Sequence, residues 1–412
     1  MKKLYLIFII SFVFSINNSK AQIYGCTDQL ATNYDFSATD NDGSCIYNSA
    51  SISPVSSFNL DSNIIETSGL VKWNNQIWTH NDNSDINIYS LDTSNGNIIQ
   101  SYALSGVVNR DWEDISQDND YIYIGDFGNN SSGNRTDLKI LRIDKNSLIL
   151  NSPIIDTINF LYSDQIDFSA AEANNTDFDC EAFIVSADSI FLFSKQWVSN
   201  KTSVYSLPKV PGSYIAKLKH SYNVNGLITG AVYLEPKKLV ALCGYSSLLQ
   251  PFVYLLYDFK GNDYFSGNKR KISISLPFHQ VEGIATTDGL KFYISNEYFT
   301  KSFLINIPQK LHILDLSTLL GDYLNNILSV SEFTKSNYVL IFPNPANNIV
   351  TIKTNNVIFP SNYFFENQAG QIVLKGKLTK NNQNINISDL SSGAYILKIG
   401  EENKASFKVI KR

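Results

Sequence analysis

Four glutamates occupy comparable places in a recurring phrase: Glu66, Glu113, Glu181 and Glu282. Each leads a short apolar stretch, and an aromatic-rich stretch follows. Tyr123, Phe191 and Phe292 come ten residues after Glu113, Glu181 and Glu282, and Trp78 comes twelve after Glu66. Asn81, Asp82, Asp126, Asn129, Asn296 and Glu297 close the second stretches or follow them. If the phrases are strands of one closed repeat, the glutamates meet at a single channel mouth with these residues beside or above them. Carboxylates about 6 Å apart at an effective dielectric near 20 repel by roughly 2–3 kcal/mol per pair. Several such pairs, partly buried, either take up protons or gather a cation. Oxygen ligands without His or Cys favour Ca2+, then Mg2+, over Zn2+. The spacing therefore nominates Glu66, Glu113, Glu181 and Glu282 as metal ligands. It nominates Asn81, Asp82, Asp126, Asn296 and Glu297 as ligand-binding residues. A plainer reading has each glutamate cap the backbone of its own unit and hold no ligand.

Other catalytic patterns are absent. The sequence has no G-x-S-x-G elbow, no H-E-x-x-H and no phosphate-cradling glycine loop. His80, His220, His279 and His312 are scattered singly, and only His80 falls near the expected mouth. Arg110 and Arg135 flank the second unit, where they would hold an anion or simply be solvated. Trp78, Trp112 and Trp197 would either stack on sugar rings or pack the units together. The expectation is a binding module with an acidic, calcium-loaded mouth. The alternative is a calcium-dependent hydrolase of phosphoesters or related esters, in which the metal polarises substrate and activates water. Whether the chain is an enzyme is not decided by sequence, and a purely structural surface repeat is the third reading.

The elements that must position these residues are short strands. Apolar stretches alternate and are broken by Asn, Asp, Gly and Ser, and no long 3.6-period stripe appears outside Leu319 to Val330, so the class is all-β. The leads Glu66, Glu113, Glu181, Gly230 and Glu282 are spaced by 47, 68, 49 and 52 residues, with Gly230 in the glutamate place. Each pair of stretches is followed by a third, such as Ile86–Leu91 or Phe252–Tyr257, and most by a fourth. Four antiparallel strands at this period predict a β-propeller over residues 53–333. The units count to five, with Val55–Leu60 available to close the last; if residues after Leu316 supply strands instead, six blades result. The long interval before Glu181 carries an insertion, Ser163–Thr176, placed on the same face as the mouth, where it would either shape a binding surface or be an idle surface loop. The phrases Glu66-to-Leu70, Asp111-to-Asp114 and Val281-to-Ala285 resemble those of secreted bacterial propellers. Five units led by Glu are also similar to the five-bladed calcium-dependent nucleotidases (apyrases), in frame only.

The ends address the chain. Ile341-Phe342-Pro343-Asn344-Pro345-Ala346, the central Gly370, Ser391-Ser392-Gly393-Ala394-Tyr395-Ile396-Leu397-Lys398-Ile399 and a basic terminus occur in that order. This segment, 338–412, resembles the type A C-terminal sorting domain of the type IX secretion system of Bacteroidetes, with the usual acidic residue displaced to Glu366. The resemblance implies a small C-terminal β-sandwich, export across the outer membrane by that machinery, removal of the tail by its sortase, and release or attachment to surface lipopolysaccharide. At the other end, Lys2-Lys3, the apolar run Leu4–Phe14 and Ser19-Lys20-Ala21 predict a signal peptide over 1–21, cleaved before Gln22. No other stretch approaches eighteen unbroken apolar residues, so an integral membrane protein is not expected.

Residues 22–48, from Gly25-Cys26-Thr27-Asp28 through Asn33-Tyr34 to Asp42-Gly43-Ser44-Cys45, resemble a short module found on secreted Bacteroidetes proteins. The resemblance points to a Cys26–Cys45 bridge, worth roughly 3 kcal/mol by chain entropy, in a segment too short for its own core. Cys180 and Cys243 are left to pair or to stay as buried thiols. The Asp40–Asp42 turn lacks a full calcium-loop ligand set and reads as a plain acidic turn. A net charge of −5 without a basic patch argues against nucleic acid, and 43% hydrophobic residues suffice for a real core. The predicted location is the medium or the outer cell surface.

Overall fold

The computed structural model describes residues 22–302, 304–321, 323–324, 339–354, 360–380, 382–400 and 405–412. The expected signal peptide, 1–21, lies outside the described residues. The chain divides into two compact units, Met1–Asp322 and Tyr323–Arg412.

The first unit is a five-bladed propeller. Blade one is built from Thr67–Trp73, Gln76–Asn81, Asn87–Asp92 and Ile98–Ala103. Blade two uses Trp112–Gln117, Tyr121–Asp126, Lys139–Asp144 and Ile155–Tyr162. Blade three uses Asp179–Val185, Ser189–Lys195, Thr202–Pro208 and Gly212–Tyr222. Blade four comprises Leu227–Leu234, Leu239–Tyr245, Pro251–Tyr257 and Asn268–Ile274, with Ala50–Ile52 added in parallel at its edge. Blade five comprises Val281–Ala285, Lys291–Asn296 and Lys310–Asp315, and its outer strand is Ser56–Asn59, paired antiparallel to Lys310–Ile313. The start of the propeller thus closes the last blade. The innermost strands neighbour one another in sequence order, and blade five returns to blade one. No sixth unit intervenes in that ring. At the rim, the outer strands of blades two and three pair in parallel from Ile158 opposite Gly212 to Tyr162 opposite Ala216.

Burial explains the sequence pattern. First and second strands such as Asp179–Val185 and Leu239–Tyr245 are buried at every residue because blades cover both faces. Their sequences are therefore nearly continuous in apolar residues, broken only where the channel demands polarity. Outer strands alternate, as in Asn268–Ile274, because one face meets a neighbouring blade and the other meets water. Between blades the cores are aromatic: Phe127 meets Phe183 edge-on, and Phe259 packs against Tyr264.

Cys26 and Cys45 form a disulfide with an S–S distance of 2.04 Å. The stapled segment is docked on blade four. The Asp28 carboxylate accepts from Tyr47 and Tyr257 hydroxyls at 2.7 and 2.6 Å, and Asn41 donates to Asp258 and Asn268. Cys180 and Cys243 remain buried free thiols.

The second unit is a sandwich of a three-stranded sheet (Val339–Phe342, Ile349–Thr354, Asn382–Asn386) and a four-stranded sheet (Ser361–Glu366, Ile372–Leu378, Gly393–Ile399, Ala405–Lys411). Its core includes Val350, Ile352, Phe365, Leu397 and Val409. The Pro-Asn-Pro turn is tied to the basic end: Asn344 donates to the Lys408 carbonyl and accepts from the Ile410 N–H, and the Ala346 N–H donates to the Ile410 carbonyl. Gly370 holds φ +76° in the turn that Asn367 and Gln371 close, a conformation that disfavours other residues.

Candidate acidic mouth of the propeller channel

The pairing of the first two strands of each blade slips by one residue at the same place. In blades two to five the unpaired residue is Glu113, Glu181, Thr229 and Glu282. A bulge frees one residue from the ladder and re-aims its side chain, here toward the axis. In blade one the slip follows Ser68. The frame read from sequence is thereby corrected at two points. Thr229, not Gly230, occupies the glutamate position of blade four. Ser68, not Glu66, occupies it in blade one, and Glu66 precedes that strand. The ten-residue spacing to the aromatic stretch in fact holds in blade one when counted from Ser68 to Trp78; it was the acidic residue type that drew the frame to Glu66.

The residue after each ring position forms a tighter layer. Gly69 and Gly230 leave no room for a side chain: a Cβ would lie 2.5 Å from the Ile115 nitrogen and 2.6 Å from the Glu282 carbonyl oxygen, respectively. Into this space reaches Asp114, fully buried, whose carboxyl accepts N–H bonds from Ile115 (2.8 Å), Phe183 (3.0 Å) and Ala231 (3.3 Å). One side chain thus ties blades two, three and four, while burial pushes its pKa well up against those three bonds. Ser68 donates to the Glu113 carbonyl, and Thr229 donates to the Val281 carbonyl at 2.5 Å, linking two more blade pairs. Beyond this layer the channel's other end opens into a cavity of about 170 Å³ with an apolar wall that includes Leu70, Ile115, Val185 and Val232.

On the near side of the layer eight carboxyl groups from four blades act on one another: Glu66 and Asp82, Asp111 and Glu113, Asp179 and Glu181, Glu282 and Glu297. Burial, then the nearby Glu297, Glu66 and Glu282, push Asp82 up to about 9. Burial pushes Glu282 up to about 8 and Glu297 to about 7, in both cases against the pull of Lys195. Asp111 rises to about 6 through burial and Asp179, opposed by Arg135. Glu113 is raised well above the usual range by burial, then by Glu181, Asp111, Asp179 and Asp82.

Of the two outcomes expected for such a ring, protons or a cation, one cation comes from within the chain. Lys195, the last residue of its strand, places Nζ 2.6 Å from Glu181 Oε2, with both side chains almost wholly buried. Its ammonium also lies 4.6 Å from the Trp197 ring centre and 5.4 Å from that of Tyr245. Burial alone would discharge the lysine, but Glu181, Tyr245 and Glu282 hold it charged, with its pKa well above the ordinary value. Burial pulls Glu181 toward its neutral form; at 2.6 Å the ion pair prevails. Sequence reasoning passed over Lys195 because the third aromatic stretch was followed only as far as Phe193. The signal was present: Asn81, Asp126, Lys195, Tyr245 and Asn296 each end the second strand of a blade. Asp111 and Asp179 were also missed, though each stands two residues before a ring glutamate.

Several nominated residues are committed elsewhere. Asn81 accepts from Glu66 N–H and donates to the Asn63 carbonyl and Asp85. Asn296 donates to the Glu297 and Pro308 carbonyls and bonds His312 Nε2. Asn129 donates to Asp179 and the Phe178 carbonyl and accepts from the Arg135 N–H. Asp126 is neutralised by Arg135 at 2.9 Å and Lys139 at 3.0 Å. Of the five nominated ligand-binding residues, Asp82 and Glu297 are left facing the mouth. Arg135 is buried rather than solvated, whereas Arg110 is exposed and pairs with Asp137. Trp78 and Trp112 are packed in the blade core, and Trp197 donates to Asp179. His80 is fully buried edge-on to Trp112, and burial lowers it to about 4, so it is neutral at physiological pH. The 163–176 insertion joins the loop after Asp126 through Ala171 N–H to the Ser132 carbonyl and Asn174 N–H to the Asn130 carbonyl.

Among the described residues no three of His, Cys, Asp or Glu are arranged to hold one metal ion. The mouth is a spread of carboxyls around a lysine, not a preformed calcium cage.

The raised carboxyls make stability depend on pH. A carboxyl raised in the folded state favours folding below its unfolded value near 4, and that contribution is lost as pH climbs through the folded value. The loss therefore begins near pH 4, where the unfolded carboxyls ionise, and is complete for Asp111 by about 6, Glu297 by about 7, Glu282 by about 8 and Asp82 by about 9. Thermal melts should show Tm falling between pH 5 and pH 9 by roughly 5–10 °C, taking ~2–4 °C per kcal/mol for a domain of this size. Glu282→Gln should flatten the decline; a Tm that rises over this range would refute the mutual repulsion.

Fold and mouth define a five-bladed propeller with an acidic channel entrance. Residues 340–412 match the family described as Secretion system C-terminal sorting domain. The protein is therefore cargo of the type IX secretion machinery, delivered to the outer cell surface or beyond it. No curated protein matches the chain in sequence. Among solved structures, PorZ of Porphyromonas gingivalis, described as an essential bacterial surface component of the type-IX secretion system, is 14% identical with a TM-score of 0.30. That alignment covers 84% of this chain and 45% of PorZ, so the chain spans less than half of that protein. The PQQ-bound aldose sugar dehydrogenase of Streptomyces coelicolor is 11% identical, covering 64% of this chain and 98% of that one, with a TM-score of 0.39. The WD40 repeats of RRP9 are 10% identical over 64% and 99%, with a TM-score of 0.34. None of these carries over a ligand or an activity, and the likeness to apyrases gains no support from them. Among the described residues no helix is long and apolar enough to cross a membrane.

Proposed function

We propose that this exported propeller is a surface or released binding module that takes a cationic ligand at its acidic mouth. The observation that supports it is the excess of eight convergent carboxyl groups over the single ammonium of Lys195 within the ring. Burial first, and the neighbouring carboxyls second, favour the neutral forms, so an arriving cation displaces protons and its binding should strengthen as pH rises. Calcium is one candidate, and it would have to bind without a ready-made cage. A hydrolase reading depends on that same metal. After export the tail would be removed by the machinery's sortase, with release or attachment to lipopolysaccharide.

The test is calorimetry and thermal melting of the purified protein with Ca2+, Mg2+, and mono- and polyamines. At least one cation should raise Tm by several degrees, and the rise should shrink at least tenfold in apparent affinity in Glu282→Gln. A panel with no binder in the native protein would end the reading. Turnover of a generic phosphoester only with calcium would replace the module with the hydrolase.

A further inference from the structure

The neutralisation of the mouth is one-sided. Lys195 rises from blade three and acts on Glu181, Asp179, Glu282 and Glu297, the carboxyls of blades three and five. On the arc of blades one and two, Asp111 is offset by Arg135 and Arg110. No cation is among the groups that act on Asp82 or Glu113. Glu113 is only 6% exposed, yet its carboxyl has neither hydrogen bond nor ion pair. It passes over Gly128, where a Cβ would stand 2.1 Å from Oε1, and faces Asp82 across the blade boundary. Asp82 Oδ1 is likewise buried without a partner, while its other contacts are the carboxyls of Glu66 and Glu297. A buried carboxyl oxygen with nothing to accept from loses its solvation, and Asp82 Oδ1 is such an atom.

We propose that Asp82, Glu113 and Glu66 form a subsite for the primary ammonium group of an alkylamine, repeating for a ligand what Lys195 does on the opposite arc. The inference rests on the cation-binding reading above and names its chemistry. Three features favour an ammonium. The protein has already placed one alkylammonium among equivalent carboxyls, at 2.6 Å from Glu181. The donor oxygens are spread over two blades and are not grouped for a single metal ion. Three N–H donors on one nitrogen match carboxyls approaching from separate directions. The source of the ammonium, a free diamine or the lysine side chain of a peptide, is left to the experiment.

Cadaverine, spermidine, an Nα-acetyl-lysine amide, agmatine, tetramethylammonium and Ca2+ would be titrated into the purified protein by calorimetry. Cadaverine or the lysine amide should bind, and Glu113→Gln and Asp82→Asn should each weaken binding at least tenfold, with Asp137→Asn unchanged. Two variants are used so that one misfolded protein leaves the other informative. Binding of the lysine amide in preference to cadaverine assigns the source to a peptide, and the reverse to a free amine. Equal binding of tetramethylammonium, which has no N–H, would overturn the subsite in favour of diffuse attraction. Binding of agmatine alone would replace ammonium by guanidinium. Binding of calcium but no amine would overturn the ammonium while sparing the cation-binding reading. Amine binding indifferent to both variants would place the site elsewhere, and no binding by any cation would end both proposals.

Discussion

Lys195→Met will lower the melting temperature of the propeller by roughly 10 °C, because breaking a buried ion pair from one side costs about 3–5 kcal/mol. The methionine fills similar volume, so the loss reports charge and not a cavity. Glu181 is left 3% exposed among Asp179 and Glu282 with nothing opposite in sign. The Trp197 and Tyr245 rings lose the ammonium that lies beside both of them. The penalty should grow with pH, since the stranded carboxyls escape by protonation at pH 5 and resist it at pH 9. Lys195→Met combined with Glu181→Gln should regain most of the lost stability, as removing both partners of a buried pair is often near neutral. Thermal melts of the two variants at both pH values check this. A single variant that melts within two degrees of the parent at pH 8 would show that Lys195 does not hold the ring together.

Asp114→Ala is expected to destabilise the propeller by about 3–6 kcal/mol, since each buried N–H left unpaired costs roughly 1–3 kcal/mol. The three N–H groups belong to Ile115, Phe183 and Ala231, and so to three blades. Water cannot readily replace the carboxyl, because Gly69 and Gly230 let the neighbouring strands close in on it. Asp114→Asn should fall between parent and alanine variant: it preserves the shape and one acceptor oxygen but turns an NH2 toward N–H groups. Denaturant melts give the free energies, and hydrogen exchange of the three amides localises the effect. Exchange at Phe183 and Ala231 unchanged in the alanine variant would show that Asp114 is not the tie between blades.

Much of the architecture was legible before any coordinates. The recurring lead-plus-aromatic phrase marks inner and second strands, since only buried strands need such density of Ile, Phe and Tyr. The gap in the fifth unit pointed to Val55–Leu60, and Ser56–Asn59 fills it. The cysteine pair and the Pro-Asn-Pro, Gly and Ser-Gly-Ala-Tyr signatures were readable because each is a local device. The disulfide joins residues 19 apart and the positive φ of Gly370 is set within one turn, whereas Asn344 ties its turn to Lys408 across the sandwich, a partner the motif alone does not name.

The chemistry of the mouth was only partly legible, for reasons of geometry. Which residue faces the axis depends on a one-residue slip in strand pairing. Thr229 and Ser68 were displaced from their places by one and two positions because neither is acidic, although each stands ten residues before its second strand's Leu239 or Trp78. The asparagines looked like ligands because polarity at a strand end is visible, whereas the carbonyls that occupy them come from distant loops such as Asn63 and Pro308.

By itself, then, the amino-acid order determined a β repeat, a staple and an export address, since all three depend on local periodicity and short motifs. Only the tertiary structure decided how the acidic residues are balanced. Charge is a long-range property, and the lysine that answers Glu181, Glu282 and Glu297 lies next to them in space but not along the chain. Whether a glutamate is a metal ligand, half of an ion pair or an unsatisfied acceptor is settled by which blades surround it.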